Sequence, residues 1–219
     1  MSRVMDGAGI PKSELSTMTT KAKAHRGALD PEKYLSIEQL TQLREYARAE
    51  SDRLKSRRAR TDWLIVEILC LSGLRASECC ALTIADLPCA HKKLLLEVRD
   101  GKGKVSRAVH VSQTLADLIE VYVRQYRATA KPGESLFIGC HGERLRYRTL
   151  YAKIKRLGNA VGIKLRPHML RHSFATWLYS VEHDLLFVRD QLGHADVRTT
   201  TIYARTGSAA IRRQMEKIS

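Results

Sequence analysis

Apolar residues recur along much of the chain at helical spacing. Behind a cap at Ser36, with Gln39 completing a capping box, Leu40, Leu43, Tyr46 and Ala47 share one face and predict a helix. A polar, basic stretch runs from Arg53 to Arg60. From Thr61 or Asp62 the pattern changes. Trp63, Leu64, Ile65, Val66, Ile68, Leu69, Cys70 and Leu71 leave almost no polar face, which places this helix at the centre of the fold. Gly73 suits a left-handed cap that ends it, and Ala76–Leu82 reads as a short helix. Between 93 and 111 the period drops to two. Leu94, Leu96 and Val98 alternate, then Val105, Arg107, Val109 and Val111, around Gly101-Lys102-Gly103, which predicts a β-hairpin. Helices resume at 114–128, 147–161, 168–181, 184–192 and 209–217, with Pro167 suited to a first turn, and Phe137 and Ile138 read as a short extended piece. The expected fold class is mainly α with a small antiparallel β-sheet (α+β).

Residues 1–32 lack this periodicity. They are rich in Ser, Thr, Gly, Lys and Ala and read as a flexible basic arm ahead of a domain spanning 33–219. No apolar run is long enough for a transmembrane helix, and Met1–Ile10 lacks the apolar core of a signal peptide, so a cytoplasmic protein is expected. Five cysteines, an odd number with no CxxC pair, fit reduced thiols. Charge changes the picture most. Lys and Arg number 38 against 23 Asp and Glu, a net charge of +15. Such an excess marks a polyanion partner, nucleic acid ahead of an anionic membrane surface, which would need a basic amphipathic anchor.

Chemistry concentrates in a few segments. His168 and Arg171 fall on one helix face within His168-Met169-Leu170-Arg171-His172. A zincin helix would need Glu where Met169 stands, so the two histidines do not read as metal ligands. Cys79, Cys80, Cys89 and His91 match no familiar zinc spacing. Upstream stand Ser72-Gly73-Leu74-Arg75-Ala76-Ser77-Glu78 and the glycine-flanked Lys102; downstream stand Leu192-Gly193-His194 and then Tyr203.

In this order, SGLRASE, GKG, HMLRHSFAT and LGH followed by Tyr203 in TTTIYAR resemble the catalytic domain of the tyrosine recombinases, the phage integrase family. The resemblance implies that family's catalytic-domain fold and a site-specific DNA recombinase acting through a covalent 3′-phosphotyrosine, in integration, excision or inversion. Its chemistry is physically reasonable. Negative charge builds on the non-bridging phosphate oxygens, and preorganised guanidinium groups stabilise it. Arg75 and Arg171 would clamp the phosphate, His168 and His194 would hydrogen-bond it, and Tyr203 would be the nucleophile. His168 would also help take the phenol proton. By the resemblance the hairpin lysine, Lys102, protonates the departing 5′ oxygen, with Lys104 as its rival, and Glu78 supports Arg75. No cofactor or metal is called for. Two other readings remain open: a type IB topoisomerase-like relaxing activity, and an idle DNA-binding accessory protein.

The stretch from Arg144 to Arg171 is densely basic and nearly without acidic residues, which points to duplex DNA. Lys104, Arg107, Tyr147, Arg148, Lys153 and Arg166 are the expected DNA-binding residues. Residues 1–32 are too few for the family's N-terminal core-binding domain, so a short form is expected. Ile211, Met215 and Ile218 near the C-terminus suggest a docking helix. By the resemblance, a homotetramer on paired DNA sites would follow, monomeric or weakly associated when free, nucleoid-associated, and open to accessory DNA-bending proteins.

Overall fold

The computed structural model describes residues 31–99, 105–193 and 200–202. Eight α-helices and one β-hairpin are present among them: α1 (Ile37–Leu54), α2 (Arg57–Ser72), α3 (Ala76–Ala81), α4 (Pro88–His91), β1 (Leu95–Arg99), β2 (Val105–His110), α5 (Gln113–Tyr126), α6 (Tyr147–Ala160), α7 (Pro167–Glu182) and α8 (Leu185–Leu192). The mainly helical class with a small antiparallel sheet is what the periodicities predict. The N-terminal arm through residue 30, the hairpin tip and the helix expected at 209–217 lie outside the described residues.

α2 is the central helix, touched by α1, α3, α5, α6 and α7. Leu64, Ile65, Val66, Ile68 and Leu69 are fully buried, as a helix apolar all round requires. Truncating one of these to Ala would cost about 2–5 kcal/mol through lost contacts and a residual cavity. The helix begins earlier than its apolar run suggests. Ser56 caps it by accepting from the Ala59 N–H at 3.2 Å, so part of the basic stretch forms its first turn. Two acids interrupt the apolar run. Asp62 is 3% exposed and pairs with Lys153 and Arg156 of α6; Glu67 is 6% exposed and pairs with Arg44 of α1 at 2.7 Å.

The hairpin register pairs Leu96 with Val109 and Val98 with Arg107, while Arg99 pairs with Val105. Ser106 is therefore an extra residue in β2, a bulge at the end next to the tip. Leu96, Val98, Val109 and Val111 face the core. Arg99 is tied to the buried carboxylate of Asp86, which fixes the tip-side end of β1. Phe137 and Ile138 do not form a strand; the segment makes only isolated bridges, Thr83 with Ser135 and Ile138 with Arg144. A smaller apolar cluster, Phe174, Ala175, Leu178, Val188 and Leu192, joins α7 to α8. Tyr34, Tyr179 and Ile202 pack against it, so Ile202, the neighbour of Tyr203, is held there beside fully buried Thr200.

Candidate active site

The centre of the site is the Glu78 carboxylate. Glu78 is in the first turn of α3, and its Oε2 accepts the backbone N–H of Arg75 at 2.7 Å, the acidic half of a capping box. Its Oε1 accepts Nη1 of Arg75 at 2.7 Å. Arg107 of β2 reaches the same carboxylate from the other side, with Nη1 to Oε1 and Nη2 to Oε2 both at 2.9 Å. Nη1 of Arg171, on α7, stands 3.9 Å from Oε2. Three guanidinium groups from three elements thus converge on one acid.

Burial pushes the Glu78 carboxyl up, but the Arg107 bonds, the Arg75 N–H and the charge of Arg107 outweigh it and hold the group at about 2. Glu78 is therefore ionised at any working pH. Three cations against one anion leave a net positive focus, suited to an anionic ligand. Arg75 is its outward face, with 40% of its side chain exposed, whereas Arg171 is 5% exposed.

Arg171 also binds the two loops on either side. Nη1 donates to the Gly73 carbonyl at 2.7 Å and Nη2 to the Leu192 carbonyl at 2.8 Å. Those carbonyls end α2 and α8, just before Arg75 and His194 respectively. Both helices close on left-handed glycines, Gly73 (φ 66°) and Gly193 (φ 65°). Any Cβ at Gly73 would overlap the Phe174 ring, and one at Gly193 would overlap Arg107 Cδ, so glycine is required twice over. Gln191 adds a further tie from α8 to β2, accepting the His110 N–H at 3.1 Å and donating to its carbonyl at 2.7 Å.

His168 is exposed in the first turn of α7, one turn before Arg171, behind Pro167 at the helix start. It opens on a cleft of about 810 Å³ whose lining includes Lys33, Tyr34, Lys164, Arg166 and His172. His172 is half-buried. Burial first, then the charges of His168, Arg171 and Lys33, hold its pKa below the ordinary value, so it is neutral at pH 7. Among the described residues no three His, Cys, Asp or Glu side chains gather where they could hold a metal ion. Cys79 and Cys80 are buried packing residues, and burial pushes both thiols up, Cys80 to about 11.

The structure thus brings Arg75, Glu78 and Arg171 together and sets His168 one turn away. Lys102, Lys104, His194 and Tyr203 lie outside the described residues. The residues expected to bind DNA fall into two groups. Tyr147 (46% exposed), Arg148 and Arg166 face outward. Arg107 and Lys153 are turned inward, with 12% and 15% of their side chains exposed, and their charged ends are engaged by Glu78 and Asp62. The place of Arg107 in the cluster is non-local, and its one local sign is a cation in the inward register of β2.

A mostly helical domain thus carries a net-positive site assembled from a helix-capping loop, a hairpin and a helix start. The chain belongs to the phage integrase family, whose model matches residues 33–209. Tyrosine recombinase XerA of Pyrococcus horikoshii is 36% identical over 159 residues, 71% of this chain and 54% of that protein. The chain therefore spans about half the length of that relative. The crystal structure of XerA recombinase matches with a TM-score of 0.69 and 30% identity, covering 84% of this chain and 64% of that one. XerH site-specific recombinase bound to a palindromic difH substrate, in a post-cleavage complex, matches with a TM-score of 0.70 and 25% identity, covering 85% and 53%. No helix of the described residues is long and apolar enough to cross a membrane.

Proposed function

We propose that this chain is the catalytic part of a site-specific recombinase that cleaves and rejoins double-stranded DNA through Tyr203. The observation that carries this reading is the Glu78-centred arginine cluster, which leaves Arg75 half-exposed and ties Arg171 into the loops before Arg75 and His194. A phosphodiester carries one negative charge and gains a second as it becomes five-coordinate. A rigid net-positive focus stabilises the second charge more than the first.

In the reaction the Tyr203 oxygen attacks the scissile phosphorus, its proton passing toward His168. The bond from phosphorus to the 5′ oxygen breaks, and that oxygen takes a proton from Lys102, with Lys104 as the neighbouring donor. The product is a 3′-phosphotyrosine and a free 5′-hydroxyl. The phosphodiester energy is conserved in the new ester, so the reverse attack by a 5′-hydroxyl rejoins the strand without a nucleotide cofactor. Tyr147, Arg148 and Arg166 supply outward phosphate contacts. XerH being bound to DNA in its post-cleavage complex supports duplex DNA as the partner class. A homotetramer on paired sites, a nucleoid location and accessory bending proteins belong to the same reading.

The test uses nicked duplexes built from candidate paired inverted repeats sought in the DNA beside the coding region. A denaturant-stable protein–DNA adduct is expected from the natural chain and none from Tyr203→Phe. An adduct that survives that substitution removes Tyr203 from its role. Relaxation of plasmids lacking the repeats would favour a topoisomerase instead.

A further inference from the structure

Arg107 occupies a position where strand geometry calls for an apolar residue. It sits across from Val98 (4% exposed), on the face that also carries buried Val109 and Val111. A guanidinium placed there is tolerated only when paired, and the pair is Glu78, through two parallel bonds of 2.9 Å. Little of Arg107 is left for a DNA phosphate: its side chain is 12% exposed, and its buried Nε has no hydrogen-bond partner among the described residues. Its Cδ lies against Gly193, directly before His194.

We propose that Arg107 is a positioning residue of the recombinase site: it clamps Glu78 and, through Glu78, fixes the Arg75 guanidinium that binds the scissile phosphate. This rests on the recombinase reading above. Arg107 acts on Glu78 in two ways. Glu78 held only by Arg75 and the distant Arg171 could turn about its side-chain bonds and carry Arg75 with it, whereas two parallel bonds from a β-strand leave it one orientation. Arg107 also adds the cation that keeps the cluster net positive by two charges. Without it, Glu78 would cancel Arg75 and leave Arg171 alone against a phosphorane carrying two negative charges. Because β2 runs on from the hairpin tip and Gly193 leads into His194, the same side chain ties the segments of Lys102 and His194 to Arg75.

The experiment measures single-turnover cleavage of the nicked duplex from pH 5 to 9, together with DNA affinity and thermal melting, for the natural chain, Arg107→Ala and Arg107→Lys. Arg107→Ala is expected to cleave about 100-fold more slowly with affinity within about threefold. It is also expected to show an acid limb steeper than that of the natural chain, because burial would no longer be opposed by Arg107 and Glu78 would take a proton more readily as the pH falls. The groups facing Glu78 are Arg75 and Cys79 on α3, Arg107 on β2 and Arg171 on α7. Adding Glu78→Gln to Arg107→Ala would flatten that limb. Arg107→Lys, which keeps the charge but not the two parallel donors, is expected to lose about tenfold in rate without the steeper limb. Should Arg107→Ala fail to melt cooperatively, Arg107→Lys carries the test. Natural rate and profile in either folded variant, or equal losses of affinity and rate, would overturn the proposal. Absence of an adduct from the natural chain would instead sink the recombinase reading itself.

Discussion

Two carboxylates in this molecule, one buried and one partly buried, gather basic side chains to different ends. Asp62, on α2, is 3% exposed and holds Lys153 and Arg156, so that α6 is riveted to the central helix. Glu78, on α3, holds Arg75 and Arg107 and stands near Arg171. At Asp62 one acid meets two cations at the root of a helix. At Glu78 one acid meets three, one of them half-exposed and another bonded to the loops before Arg75 and His194. The first arrangement fixes packing. The second keeps positive charge in reserve for a ligand. Basic residues in a DNA-acting protein are thus not all a DNA-binding surface; what separates them is the position and number of their acidic partners.

Four measurements would break or sharpen that contrast. The largest expected effect is at the site: Arg171→Ala should lower cleavage about a thousandfold while DNA affinity changes far less, read by single-turnover kinetics and a binding titration. Equal losses would make Arg171 a binding residue only. Asp62→Ala should cost about 3 kcal/mol of stability, because it strands Lys153 and Arg156 without their acid, and should leave cleavage per folded molecule unchanged. A stable variant with slowed cleavage would dissolve the distinction between the two clusters.

The third measurement is the pH dependence of stability. Glu78 sits at about 2 in the fold against an ordinary 4.5. Its folded-state value is depressed, so its contribution is fully present above about pH 4.5 and drains away as the pH falls toward 2. Glu78→Gln should flatten the melting-temperature curve in that window and leave it unchanged near neutrality in slope. Smallest is Arg148→Ala. It should lower the salt dependence of DNA binding by about one phosphate contact, with cleavage of bound DNA near normal. An unchanged salt slope would take Arg148 off the DNA path.

Much of this architecture is legible in the sequence. The apolar run of α2, the stripe of α1 and the alternation of the hairpin are local periodicities, and each marks the element found. The stop signal at Gly73 is legible for the same reason. What is hidden is non-local. The start of α2 depends on a serine cap placed before a basic, unpatterned turn. The density of Lys and Arg between 144 and 171 looks free of acidic partners along the chain, yet Asp62 reaches Lys153 and Arg156 from far upstream. Arg75, Glu78, His168 and Arg171 are readable from motif order, whereas the junction of Arg107 with Glu78 needs the third dimension, since only the inward register of β2 hints at it.

The central claim is that one phenolic oxygen, brought to a phosphate by this arginine cluster, breaks the DNA strand. Mass spectrometry of the peptide left attached to the 3′ phosphate after trapping on the nicked duplex tests it most directly. A single linked tyrosine is expected, Tyr203, in the peptide that follows Leu192-Gly193-His194. Linkage through Tyr151 or Tyr179, or cleavage that leaves no tyrosine ester, would contradict it.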